Sequence, residues 1–287
     1  MDIPGAIDPD EIYILVGHLD DLPSSGLAPG ADDNGSGTVT VLEGARVASC
    51  YGFRKTARFL NVTGEEQGLL GSEAYAAAAR ARGDDIRGVL NFDMNGWEGD
   101  GTPVPENIDV SYNAISQWLG ELYAENATTY QTGLVVDAFS CPSLTASDHA
   151  AFWQQGYPAI IGITDNHNYC GHAGTYPDYH ESTDTIENNG DPTLFYASIR
   201  TAVATLAELA EPFVTTFGRA SYACDGAAEV VVADAGRNLD PGVQETIEVV
   251  VVSDTEPAGE TVTLTERGVD SKLFSASVSL SVGSPLR

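Results

Sequence analysis

The chain has 287 residues, with 13 Lys+Arg against 42 Asp+Glu and a net charge of −29. That charge excludes binding to DNA or RNA by phosphate neutralisation and docking on an anionic membrane; no apolar run approaches the roughly 20 residues of a transmembrane helix. Hydrophobic residues make up 43%, enough to bury a core in one large domain or in a domain plus a small one.

In chain order, residues 12–16 form a short apolar run fit for a buried strand. Residues 35–49 are small and apolar at helical spacing. Residues 56–62 read as a strand and 68–82, with six alanines, as a helix. Residues 86–92 give the next strand. Ile115, Trp118, Leu119 and Leu122 recur at helical intervals within 114–126. Residues 134–138 and 159–163 read as strands, and 148–155 as a helix. A long helix covers 192–211, with Pro192 in its first turn. Alternating strands and helices predict an α/β domain, a mostly parallel mixed sheet flanked by helices. After about residue 213 the character changes. Residues 228–233, 246–252, 261–265 and 273–280 are β-rich and separated by turn signals. They predict a small all-β, sandwich-like module over 214–287. Four strands are fewer than the roughly seven of a full sandwich, so the module reads as incomplete. Binding to carbohydrate, cell wall or protein, or service as a spacer, all fit it.

Only two of the 13 cations are lysines, Lys55 and Lys272. An acid-rich, lysine-poor surface suits a secreted or salt-adapted protein, and equally a lineage-wide composition bias. Residues 1–5 have neither the basic start nor the apolar stretch of a signal peptide. Cys50, Cys141, Cys170 and Cys224 allow three full pairings, among which sequence alone does not choose. Pro142 and Gly171 give Cys141 and Cys170 loop-like settings and make that pair the first to consider. None of the spacings is short enough for a cysteine metal site.

Acids and histidines gather just beyond the predicted strands or in adjoining loops: His18-Leu19-Asp20-Asp21, Asp32-Asp33-Asn34, Glu65-Glu66, Asp93 and His180-Glu181. Loops at the carboxyl ends of strands in an open α/β sheet converge on one crevice. Carboxylates crowded there repel one another unless a cation neutralises them, and carboxylates with two imidazoles make a donor set suited to zinc. Each piece has an ordinary reading: a histidine after a strand is commonly a structural hydrogen-bonder, adjacent acids commonly form a solvated edge, and the Gly-rich stretch 30–37 is commonly a turn capped by Asn34 or Ser36. The order of all of them together is far more specific.

That order, GHLDD, APGADDNGSG, GEEQGLLGS, NFDMNG, SDHAAFWQQGYPAI and YHESTDT, resembles the M28 family of zinc peptidases, the bacterial leucyl-type aminopeptidases, from about residue 8 to 209. The resemblance implies a zinc-peptidase domain over 1–213 that binds two Zn2+ ions. It implies His18 as a metal ligand oriented by the carboxylate of Asp20, Asp33 as the ligand bridging both ions, and Glu65 as general base. Glu66 and His180 would complete one zinc, and Asp93 with His18 the other. It implies a metallo-aminopeptidase, with peptides bearing a free N-terminus as substrates and a water shared by the zincs as nucleophile. A carboxypeptidase, a glutaminyl-cyclase-like enzyme and a non-catalytic secreted binding protein are the rivals. His149, in Ser147-Asp148-His149, is expected to be structural or to support the ligands, and His167 and His172 to lie on the surface. Two departures stand out. A tyrosine that precedes SDH in one branch of the family is replaced by Leu144 and Thr145. Only 17 residues precede His18, fewer than family domains have, so the strand at 12–16 is expected to lack a neighbour and to leave an apolar sheet edge exposed.

Overall fold

The computed structural model describes residues 1–97, 107–164, 170, 176–189, 191–218, 226–253 and 256–280. His167, His172 and Cys224 lie outside the described residues. The chain divides into two compact units, Met1–Ala210 and Glu211–Arg287.

The first unit runs β1 (Asp2–Ile3), β2 (Asp8–His18), α1 (Gly35–Ala48), β3 (Gly52–Phe53), β4 (Lys55–Val62), α2 (Leu70–Arg82), β5 (Asp85–Phe92), β6 (Asn107–Tyr112), α3 (Gln117–Thr129), β7 (Val135–Ser140), α4 (His149–Gln154), β8 (Ala159–Ile163), α5 (Ile186–Asn189) and α6 (Pro192–Ala210). Its sheet has the order β1-β4-β2-β5-β8-β6-β7. β2 is parallel to β4 and β5, and β5 to β8, while β6 is antiparallel to β8 and β1 to β4. The sheet is thus mixed and mostly parallel.

The expected bare edge at β2 is not found. β2 lies inside the sheet, hydrogen-bonded along both sides by β4 and β5. The edge passes instead to the two-residue β1, registered as Asp2 opposite Arg58 and Ile3 opposite Ala57. There the Arg58 guanidinium grips the Asp2 carboxylate with two bonds of 2.8 and 2.7 Å. A short, charged strand is a poor template for a further strand.

Successive residues of β2 point to opposite faces. Tyr13 and Leu15 join the core beneath α1, α3 and α6, with Val41, Phe59, Phe92 and Leu206. Ile12, Ile14 and Val16 join the core beneath α2 and α4, with Ala76, Ala79, Val89 and Phe152. Burial on both faces explains the unbroken apolar run of β2. Gly44 lets α1 come down on the sheet: a Cβ there would stand 2.6 Å from Leu15 Cδ2. β6 is absent from the sequence reading because it places Asp109 and Ser111, both buried, among its apolar residues.

The second unit holds β9 (Pro212–Phe217), β10 (Ala227–Asp234), β11 (Thr246–Ser253), β12 (Glu256–Glu266) and β13 (Leu273–Ser279). They pair antiparallel in the order β11-β12-β13-β10-β9. Val230, Val232, Leu264 and Phe274 are buried, and Ile247, Val249, Val251 and Val262 pack against them. Within β10 and β11 their spacing of two puts them on one face of the sheet.

Candidate metal centre

Parallel strands bring their carboxyl ends to one rim, and the predicted site residues collect there. His18 closes β2, Glu65 and Glu66 follow β4, and Asp93 follows β5. Asp33 stands in the turn ahead of α1, and His180 in the loop ahead of α5.

The Asp33 turn is held at several points. The Asn34 side chain caps α1, accepting from Gly37 N at 2.9 Å, and donates through Nδ2 to Phe92 O at 3.0 Å. It thereby ties the start of α1 to the end of β5. Gly37 is required at this junction, since a Cβ on it would lie 2.2 Å from Phe92 O. Of the two adjacent acids, Asp33 faces the imidazoles. Asp32 turns to the main chain, accepting from Gly96 N at 2.7 Å, and burial pushes its carboxyl up to about 8.

The imidazoles and carboxylates interlock. His18 Nε2 lies 3.4 Å from Asp93 Oδ1 and 3.5 Å from Asp33 Oδ1. His180 Nε2 lies 3.2 Å from Asp33 Oδ2 and 3.1 Å from Glu66 Oε2. Each oxygen of Asp33 therefore meets a different histidine, and each histidine meets one further carboxylate. Glu65 reaches the first group: donor atoms of His18, Glu65 and Asp93 lie within 4.8 Å of one another, as do those of His18, Asp33 and Glu66. All seven sequence-predicted residues thus come together at this rim.

The role of Asp20 differs from the expected one. His18 Nδ1 donates to the Asp20 backbone carbonyl at 3.0 Å, while the carboxylate stands off at 4.0 Å. That bond aims Nε2 at Asp33 and Asp93, where its lone pair would serve a bound metal ion. The Asp20 carboxylate instead accepts from the amides of Glu65 at 3.3 Å and Glu66 at 3.2 Å. A two-oxygen acceptor fits two successive amides better than one ring N–H, so Asp20 fixes the turn that carries both glutamates.

Several further residues support the rim. Asn91 donates to Ser147 Oγ at 2.8 Å, and Ser147 helps to hold the Asp93 carboxyl low. Ser147 lies within the quoted SDH motif, which was the available signal. His149 is fully buried, bonds Leu144 O at 2.8 Å through Nε2 and packs edge-on against Trp153. Burial holds its ring down to about 4, so it is neutral and structural. The Tyr179 ring stacks on His180 with centroids 3.8 Å apart. Cys141 is disulfide-bonded to Cys170, with Cα atoms 5.8 Å apart. Cys141 also packs with Met94, Leu144, Ile163 and Tyr176 in a small apolar cluster.

The electrostatics ask for a cation. Burial opposes charge on His18, yet Asp93, Glu65 and Asp33 overcome it and push the ring up to about 11. Burial, then Asp93, pushes the Glu65 carboxyl up to about 9. Burial, then Asp33, pushes Glu66 up to about 7. Burial also works against the charge of Asp93, but the His18 imidazolium wins and holds it low. Four carboxylates around two imidazoles cannot all ionise without further positive charge. Glu66 Oε1 is buried without a hydrogen-bond partner. The donor set is imidazole nitrogen and carboxylate oxygen, as zinc takes. Two ligand atoms about 2.0–2.1 Å from a tetrahedral zinc lie about 3.4 Å apart, and the measured separations of 3.1 to 3.5 Å sit around that value.

The family model of Peptidase family M28 matches residues 1–206. The chain belongs to this family. A probable leucine aminopeptidase of Arthroderma benhamiae is 32% identical to this M28 chain over 200 residues, covering 64% of the chain and 50% of the relative. A probable zinc metalloprotease of Pyrenophora tritici-repentis is 30% identical, over 58% of the chain and 41% of the relative. The chain spans about half the length of the curated relatives it matches. Among solved structures, the Legionella pneumophila LapA aminopeptidase matches with a TM-score of 0.58 and 27% identity, over 70% of this chain and 52% of that one. BSAP, a zinc aminopeptidase from Bacillus subtilis, matches with a TM-score of 0.57 and 25% identity, over 72% and 48%. A bacterial glutaminyl cyclase, with a TM-score of 0.56 and 18% identity, shares the fold.

Proposed function

We propose that this M28 chain is a zinc-dependent exopeptidase that removes the N-terminal residue of peptides and holds two zinc ions. The observation that carries the reading is the division of Asp33, whose Oδ1 meets His18 and whose Oδ2 meets His180. A single carboxylate shared between two imidazole–carboxylate pairs is the donor set for two ions side by side. His18 and Asp93 would hold one ion, Glu66 and His180 the other, and Asp33 both. The aminopeptidase names of the relatives and solved structures favour this activity within the family.

Zinc bound there supplies Lewis-acid polarisation of the scissile carbonyl and acidifies the attacking water. Glu65, beside His18 and Asp93, accepts the proton of that water and hands it to the leaving amine. Asp20 holds the Glu65–Glu66 turn so that one side chain serves the metals and its neighbour the proton. The acidic surroundings favour a substrate α-ammonium. We also propose secretion, which the Cys141–Cys170 disulfide supports, because such bonds persist in oxidising compartments.

Elemental analysis and an aminoacyl-anilide panel test the function. Two zincs per chain and release of the anilide are expected, and fewer than one zinc would sink the reading. Glu65→Gln should keep its zinc and lose about 100-fold or more in rate. Cleavage of N-blocked peptides from the carboxyl end, with the anilides untouched, would make the chain a carboxypeptidase instead.

A further inference from the structure

Asp184 lies four residues after His180, in the same loop, and is 2% exposed. Its Oδ1 accepts from the amide of Asp32 at 2.9 Å and from the Tyr176 hydroxyl at 2.7 Å. Its Oδ2 accepts from the amide of Asp33 at 3.0 Å. Its backbone carbonyl accepts from the amide of Ala31 at 3.1 Å. Three successive amides, ending at the carboxylate that meets both histidines, are therefore anchored on one residue. The same pair of loops is joined again where Ser24 N bonds His180 O and Ser24 Oγ bonds Glu181.

We propose that Asp184 is a positioning residue that clamps the Asp33 turn to the His180 loop and so sets the separation of the two halves of the metal centre. The proposal rests on the di-zinc reading above. Asp33 and His180 come from segments about 150 residues apart in sequence, as do Asp184 and Asp33. Local chain geometry cannot set the distance between such segments, and a bond across them can. Hydrogen bonds to an ionised acceptor are short and about twice as strong as neutral ones. Buried, Asp184 receives two amides and a phenol on its two oxygens, and a carboxylate meets such donors with acceptors alone. An amide at 184 would retain one acceptor oxygen and turn an NH2 donor toward a backbone N–H. One of the two amide bonds would become a clash of donors, and the Asp33 turn would shift.

The test compares wild type, Asp184→Asn and Tyr176→Phe in the full chain, stripped of metal and titrated with zinc against a chromophoric chelator. The same apo proteins are loaded with cobalt(II) for absorption spectra. Asp184→Asn should bind at least one zinc tenfold more weakly, or worse, and its cobalt bands should shift because the ligand geometry changes. Tyr176→Phe keeps the carboxylate and removes one donor. It should weaken zinc about threefold, and it carries the test should Asp184→Asn fail to fold. Zinc affinity within twofold of wild type and unaltered cobalt bands in the variant that folds would overturn the clamp and leave the di-zinc reading intact. Wild type that takes up no zinc would overturn both.

Discussion

Carboxylates meet opposite treatment at the two ends of β5. Beyond its carboxyl end Asp33, Glu65 and Glu66 are crowded, and burial raises all three. Just before its amino end Asp84 lies between two guanidiniums, 3.2 Å from Arg58 and 2.8 Å from Arg82, and these hold its carboxyl low. The same residue type is satisfied by the protein at one end and left demanding a cation at the other. Charge that the chain neutralises internally serves stability. Charge that it concentrates without neutralising serves a ligand.

Substitutions that break the carboxyl end should have the largest effects. Asp33→Ala should abolish stable zinc binding and lower the rate of the proposed aminopeptidase activity by orders of magnitude, with far-UV circular dichroism retained; near-normal metal content would break the contrast. Removal of zinc by chelation should destabilise the protein by about 4 kcal/mol relative to zinc at a thousandfold its dissociation constant, read as a fall in Tm. The drop should shrink in Asp33→Ala and remain whole in Asp84→Asn.

Gly37→Ala should follow, because its Cβ would meet Phe92 O at 2.2 Å and separate α1 from β5. A loss of about 1–3 kcal/mol in denaturant unfolding, as for an overpacked core, is expected. Reduction of Cys141–Cys170, which are separated by 29 residues, should cost about 3–4 kcal/mol by chain entropy; calorimetry with and without reductant measures it. The smallest effect belongs to the satisfied acid. A carboxylate held below its unfolded value adds stability above the unfolded pKa and loses it as pH falls through the folded one. Asp84→Asn should therefore cost about 0.2–1 kcal/mol near pH 7, and the cost should vanish as pH falls through the lowered folded pKa of Asp84. A cost that persists in acid would assign Asp84 a packing role instead.

Much of this could be read in advance from particular residues. The alternation of small-residue helices with apolar runs gave the α/β class, and strand 159–163 matches β8 (Ala159–Ile163) to the residue. β6 was missed because Asp109 and Ser111 disguise a buried strand, and β9 because Pro212 reads as a break. The expected bare edge at β2 assumed neighbours drawn from the preceding chain. β4 and β5 supply them from later in sequence.

The chain's own text determined which chemical groups stand at strand ends, because strand polarity and residue type are local properties. Tertiary structure alone decided how they meet. It decided that the main chain of Asp20 orients His18 while its carboxylate holds Glu65 and Glu66. It also decided that Asp184 reaches back to the amides of Asp32 and Asp33. Each of these is a contact between segments distant in sequence, fixed by the order of strands in the sheet, and no local pattern of residues encodes that order.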